Sequence, residues 1–445
     1  MTRRGRLWFV LMLILLGVGG YVWVRAEGEP PSLRAPESLL LGAQGSTLAL
    51  EADDARSGLR ALDVVLALPG GEETLLHEEY PGDLLRGGTA GTPRGVSVAI
   101  DAKRLGSDGA EGFVRVTARD WSLRGLLSGN ATLVEIPVRL DLSPPRVSIE
   151  TGLSYAQRGG AGVVVYSVSE ATQRDGVRVG EAFFRSYPWQ GRRAAFYAVP
   201  TDAPSPPLPE VLAVDLAGNE RTARWPLQVK ERALPEASVN LPESFLEEKV
   251  PDLARGANVQ TDDLTAAFQE VNTRVRRENE QRIREIAAKT APERLWSGPF
   301  VQWRNSQVTS RFAERRTYKV GGRDVSQATH FGYDLATTAG APITAANTGR
   351  VLFAGDLGIY GNCVIVDHGM SVVSLYGHLS SIDVKEGDAV EKGAVLGRSG
   401  ATGLAGGDHL HFAVLVGDAY VDPVEWWDEK WVREKIDEKL SPPAS

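Results

Sequence analysis

Residues 7–24 read LWFVLMLILLGVGGYVWV, eighteen positions without a charge. As a helix they span about 27 Å at 1.5 Å per residue, close to the hydrocarbon thickness of a bilayer. This pattern predicts a transmembrane anchor over 7–24. A cleaved signal peptide is the competing reading, but its apolar part normally runs about 7–15 residues and ends in a small-x-small site. Val22, Trp23, Val24 and Arg25 offer no such site, and Tyr21 and Trp23 suit a membrane interface. Arg3, Arg4 and Arg6 precede the span, so residues 1–6 are expected in the cytoplasm and everything beyond Arg25 outside it.

After a polar linker over 25–37, apolar and polar residues alternate in short runs: STLALEA, ALDVVLAL, GVSVAIDA, GFVRVTARD and TLVEIPVRLDL. Period-two runs broken by Gly, Asp and Pro predict a β-sandwich over 38–144. A second all-β unit follows over 145–231, with AGVVVYSVSE, AAFYAVPTD and VLAVDLAGNERTARWPLQV. Its AVDLAGNE turn resembles bacterial immunoglobulin-like repeats, so both units are expected to be Ig-like sandwiches. His77, in the polar stretch LLHEEYPG, reads as a surface loop residue.

The period changes over 232–295. TDDLTAAFQEVNTRVRRENEQRIREIAAKTAP carries a Thr/Asp start signal and stops at Pro292. Phe268, Val271, Val275, Ile283 and Ile286 recur at helical spacing, interrupted by Asn279. The stripe packs on a neighbouring domain or receives a partner. Over 296–432 short strands and glycines return (GRVLFAGDLG, NCVIVDHG, SVVSLYGHLS, HLHFAVLVG), followed by a tail over 433–445. The fold class is therefore mainly β and multidomain.

Composition narrows the function. The 445 residues carry a net charge of −8, and the basic residues form no long run, which argues against nucleic acid as a partner. The single cysteine, Cys363, excludes an internal disulfide and sits in a strand-like run as a core residue.

Five of the six histidines fall in the last region. In HLHFAVLV, Leu410, Phe412, Val414 and Val416 share one strand face and His409, His411, Ala413 and Leu415 the other. Two imidazoles on one face, about 7 Å apart at the backbone, can converge on one ion or substrate. They are equally compatible with two half-exposed histidines on a sheet surface. His330 and Asp334 in THFGYDLA would lie about 13 Å apart on a straight strand, so joint ligation requires a bend, which Gly332 makes easy. Alone, they read equally as an unrelated pair near a turn. His378 ends the run SLYGHLSS, as a working residue or a surface histidine, and His368, beside Gly369, reads as structural.

Taken in order, HFGYD, YGHLS and GDHLHF resemble the M23 family of zinc metallopeptidases, the lysostaphin and LytM type. The resemblance covers residues 325–427, includes the glycine-rich stretch IDVKEGDAVEKGAVLGRSGATG, and implies an M23-type antiparallel β domain. It implies zinc held by His330, Asp334 and His411, with His378 and His409 as catalytic histidines beside it. Three protein ligands leave a fourth position for water, as catalytic zinc sites do. Asp408 and Ala413 depart from residues common in the family, at positions that supply neither ligand nor base.

The resemblance further implies hydrolysis of peptidoglycan peptide cross-links by an enzyme held in the bacterial inner membrane with its catalytic domain in the periplasm. A catalytically silent relative that binds the wall and activates another hydrolase is the alternative. A pump adaptor would use the anchor and the VKEGDAVEKGAVLG hairpin, but needs two long antiparallel helices and no His/Asp set. The intervening domains are also positioned to occlude the groove until a regulatory protein partner moves them.

Overall fold

The computed structural model describes residues 3–101 and 106–441. Met1 and Thr2 of the N-terminal tail, Ala102 at the end of GVSVAIDA, and residues 442–445 of the C-terminal tail lie outside them. The chain divides into two compact units.

The first unit holds residues 1–145 with 171–173 and 214–220. Arg3–Arg25 is one helix of 23 residues, long and apolar enough to cross a membrane, a test that signal sequences also pass. The five expected strands are present, at Ser46–Asp53, Leu59–Leu68, Arg94–Ile100, Glu111–Asp120 and Ala131–Asp141. Two of them lie in a three-stranded sheet and three in a five-stranded sheet, packed around Leu48, Leu62, Leu66, Val114, Val116 and Leu140. His77 lies on a further strand, Gly71–Glu79, rather than in a loop. Its exposed ring pairs with Asp63 on the adjacent strand.

The second unit holds residues 146–170, 174–213 and 221–445. Its first sheet orders Val147–Ile149, Ala161–Val168, Arg192–Ala198 and Tyr187–Trp189. Phe196 of this sheet packs on Trp296 and Trp426 of the C-terminal region, whose rings lie 5.4 Å apart, so one aromatic core joins the two regions.

The helical stretch holds more helix than the single periodic run implied. Glu243–Gly256 is helical despite Pro251. A second run follows through Leu264–Glu270, a π-helical turn at Val271–Val275, and Arg276–Ala287. Asp263 caps that run by accepting the N–H groups of Thr265 and Ala266. Phe268, Val271, Val275, Ile283 and Ile286 are all buried, so the stripe faces a core. The C-terminal tail is also helical as far as it is described, with Ile436 and Leu440 buried.

The C-terminal sheet carries four strands that matter to the site: β1 (Arg323–His330), β2 (Tyr333–Ala336), β3 (Val372–Leu379) and β4 (Leu410–Val416). β2, β4 and β3 are adjacent and antiparallel, whereas β1 pairs with Glu314–Val320 in a separate sheet. Every residue of β3 and β4 is buried. The alternation in HLHFAVLV thus does not mark a solvated face. Strand Arg192–Ala198 and helix Pro423–Trp427 lie against β4 and close off what the sequence left open. Cys363 is fully buried in strand Asn362–Asp367, and burial pushes its thiol up. His368 is buried too, bonded at both ring nitrogens to the Thr348 carbonyl and the Ser374 hydroxyl.

Candidate metal centre

β1 ends at His330, the chain turns through Phe331 and Gly332, and β2 begins at Tyr333. This break delivers the expected bend. Asp334 then stands directly across from His411 in the β2–β4 register, and His411 stands across from Gly377 of β3. His409 precedes β4 in an isolated bridge with Gly400. Two strand neighbours and one turn therefore bring together all five residues singled out from the sequence.

His330 Nε2 lies 2.9 Å from Asp334 Oδ1 and 3.0 Å from His411 Nδ1, and His411 Nδ1 lies 3.0 Å from the same carboxylate oxygen. His330 Nδ1 faces the Arg311 carbonyl at 3.0 Å, which assigns its proton to Nδ1 and leaves a lone pair on Nε2. A carboxylate oxygen and imidazole lone pairs aimed at one point repel unless a cation lies among them. His411 Nε2 is buried with no hydrogen-bond partner, so the useful lone pair of that ring is the inward one on Nδ1. Two imidazole nitrogens and one carboxylate oxygen are ordinary zinc donors, and these residues fit a single divalent ion.

The other two histidines share a different arrangement. His378 Nδ1 faces the Thr402 carbonyl at 2.8 Å, and His409 Nδ1 faces the Gly407 carbonyl at 2.8 Å. Each bond assigns a ring proton to Nδ1, which leaves Nε2 of His378 as an acceptor and turns Nε2 of His409 toward Asp334 Oδ1 at 3.6 Å. His378 adopts a left-handed backbone, φ 65°, unusual for a residue with a side chain.

Burial, helped by the neighbouring His409 and His411, holds His378 well below the usual imidazole range. Burial likewise brings His411 down to about 4, against the pull of Asp334. Burial opposes charge on His409 as well, but the Asp334 carboxylate, 3.6 Å from its Nε2, and the Gly407 carbonyl together outweigh it and raise the imidazole. Burial disfavours the Asp334 carboxylate, yet the facing His330 and the histidine hydrogen bonds hold it well below the carboxylate range.

These residues line a cavity of about 200 Å³ roofed by Phe245, Phe268 and Arg276 of the helical stretch. The helices that carry this roof are tied to the neighbouring strand and loops. Lys249 donates to the Ala401 carbonyl at 2.9 Å, Gln269 to the Val325 carbonyl at 2.7 Å, and Asn279 accepts the Ile359 N–H at 2.9 Å. Asn279, which interrupts the apolar stripe, is thus a docking residue.

The sequence reading missed Arg316, which touches Asp334, and the carbonyls of Arg311, Thr402 and Gly407. A carbonyl leaves no trace in residue identity. Arg316 lies in FAERRTYKV, where nothing separates it from Arg315.

An antiparallel sheet that brings two histidines and an aspartate to one point, with two more histidines beside them, defines a protein with a candidate metal centre. Residues 328–423 match Peptidase family M23, and the chain carries a domain of that family there. Over 119 residues it is 38% identical to peptidoglycan DD-endopeptidase ShyB of Vibrio cholerae, covering 27% of each chain. Over 95 residues it is 40% identical to DD-carboxypeptidase/endopeptidase Mpg of Neisseria meningitidis, covering 21% of this chain and 22% of that one. The chain thus spans about a quarter of the length of these curated relatives. Among solved structures, the catalytic domain of lysostaphin from Staphylococcus simulans is 28% identical with a TM-score of 0.24, covering 28% of this chain and 92% of that one.

Proposed function

We propose that the C-terminal domain is a zinc-dependent endopeptidase that hydrolyses peptide cross-links of peptidoglycan. His330 Nε2, Asp334 Oδ1 and His411 Nδ1 hold the metal, and His378 and His409 handle protons. The observation that carries this reading is the convergence of three acceptor atoms within about 3 Å of one another, flanked by two imidazoles whose Nδ1 atoms are held by backbone carbonyls. The match of residues 328–423 to Peptidase family M23, and the 38% identity over 119 residues to a peptidoglycan DD-endopeptidase, support the substrate class.

When bound, zinc acidifies water and polarises a carbonyl. The chain's own residues do the rest. His378, kept neutral by burial, accepts a proton at Nε2 as the water attacks, and its Nδ1–H stays on the Thr402 carbonyl. His409 carries the opposite bias. Its Nε2 lies 3.6 Å from Asp334 Oδ1, beside negative charge that favours the imidazolium, and it delivers a proton to the leaving amine.

On this reading the helix Arg3–Arg25, long and apolar enough to cross a membrane, anchors the protein in the bacterial inner membrane, with the chain beyond Arg25 in the periplasm. The roofed cavity of about 200 Å³ is smaller than the roughly 300–1,000 Å³ of pockets that take drug-sized ligands. An extended peptide therefore requires the roof to shift. The deciding experiment digests purified muropeptides with zinc-loaded protein and with His409→Ala, reading products by mass spectrometry. Cleavage by the wild type alone is expected. Zinc uptake without cleavage, together with stimulation of a second hydrolase, would replace this reading with that of a silent regulator.

A further inference from the structure

Asp334 divides its two oxygens. Oδ1 faces His330, His411 and His409, whereas Oδ2 accepts from Arg316 Nη2 at 3.0 Å. Arg316 is itself held. Its Nε donates to Glu314 Oε1 at 2.8 Å and its Nη2 to Ser310 Oγ at 2.5 Å, and Ser310 Oγ donates back to Glu314 Oε1 at 2.9 Å. Arg316 and Glu314 belong to one strand, Glu314–Val320, which pairs with β1, the strand that ends in His330. Both side chains are mostly buried, at 18% and 17% exposure, so the interactions are poorly screened.

We propose that Arg316 is a positioning residue for the metal: it occupies Asp334 Oδ2 and presents Oδ1 alone to the ion, and Glu314 fixes its guanidinium. This rests on the metal reading above. A guanidinium stays protonated and has a planar fork, so it can hold a carboxylate in one orientation where an ammonium supplies only a point charge. With Oδ2 released, Asp334 is free to rotate and to offer both oxygens, which changes the coordination number and weakens a site built for three donors. Partners that orient a ligand in this way typically contribute about 10–100-fold to metal affinity.

The test compares full-length wild type with Arg316→Met, Arg316→Lys and the charge-balanced pair Glu314→Gln/Arg316→Met. Zinc affinity is read by chelator competition, and the coordination of cobalt-loaded protein by visible absorption. Arg316→Met is expected to bind zinc about 10–100-fold more weakly, with fainter cobalt bands as a five-coordinate ion forms. Arg316→Lys should recover only part of the affinity. If removing one buried cation prevents folding, the charge-balanced pair carries the comparison. Wild-type affinity and an unchanged cobalt spectrum in the methionine variants would overturn the inference and leave the metal reading intact. Failure of the wild type to take up zinc would overturn both.

Discussion

The imidazoles of His378 and His409 face each other with ring centroids 4.8 Å apart, each giving its Nδ1 proton to a backbone carbonyl. His409 Nε2 stays 3.6 Å from Asp334 Oδ1, farther than the contacts of 2.9 and 3.0 Å that join His330, Asp334 and His411. The two pairs of roles should therefore separate. Alanine at His378 or His409 is expected to lower kcat by about 10²–10⁴ with zinc content unchanged. Alanine at His330, Asp334 or His411 is expected to abolish zinc retention. Metal analysis alongside muropeptide digestion checks both, and loss of zinc from His409→Ala would show the division of labour to be wrong.

Gly332 makes a second case. Its backbone is not left-handed, so conformational freedom is not what the site requires of it. A Cβ there would sit 2.6 Å from His411 Cε1 and 2.7 Å from the Phe412 carbonyl oxygen. The carbonyl belongs to β4 and is held by the sheet, so the Phe331–Gly332 turn must shift away from it and the His411 ring must yield as well. Gly332→Ala is expected to cost about 1–3 kcal/mol in stability and to weaken zinc binding by displacing His411. Thermal unfolding and chelator competition measure the two effects. An alanine variant with wild-type zinc affinity would show that the ring has room to move.

What the sequence disclosed and what it hid follow one division. Residue type and spacing exposed His330, Asp334, His378, His409 and His411, because an imidazole or carboxylate is rare enough in an apolar strand to stand out. Periodicity exposed the strands of the first sandwich and the stripe from Phe268 to Ile286. Hidden were features set by partners distant in sequence. The polar run at Gly71–Glu79 becomes a strand only because Leu59–Leu68 pairs with it. Glu243–Gly256 carries a proline and only three buried residues, Leu246, Val250 and Ala254. The second face of β4 looked solvated because nothing local announces the strand and helix that cover it. Arg316 is one of two adjacent arginines, and only the fold aims it at Asp334.

Glu425 supplies a pH test away from the metal. Its Oε2 accepts the Ala161 N–H at 2.8 Å, linking the C-terminal region to the sheet that holds Ala161–Val168. Burial pushes this carboxyl up to about 8, with the Asp422 carboxylate adding to the effect and Arg232 opposing it. An acid raised on folding stabilises the fold most below its unfolded pKa of about 4.3 and loses that contribution as pH rises through about 8. The contribution lost is on the order of a few kcal/mol. The melting temperature should accordingly fall between pH 5 and pH 9, each chosen as roughly bracketing that window. Glu425→Gln keeps an acceptor for Ala161 and should flatten the decline. Equal slopes in the two proteins would remove Glu425 as its cause.

The roof over the metal centre makes the last case. The ties of its helices to Ala401, Val325 and Ile359, from Lys249, Gln269 and Asn279, are three hydrogen bonds at partly exposed positions. Such bonds contribute about 0.5–1.5 kcal/mol each. Removing all three should therefore loosen the roof by a few kcal/mol at most, while Phe268, Val271 and Ile283 keep the helices folded against their core. If an extended peptide reaches the cavity only when the roof moves, Lys249→Ala/Gln269→Ala/Asn279→Ala will cleave muropeptides severalfold faster than wild type at equal zinc content. Hydrogen exchange over 243–287 should rise in parallel, which separates a loosened roof from an altered centre. Faster exchange without faster cleavage would mean that the substrate enters past the roof as it stands.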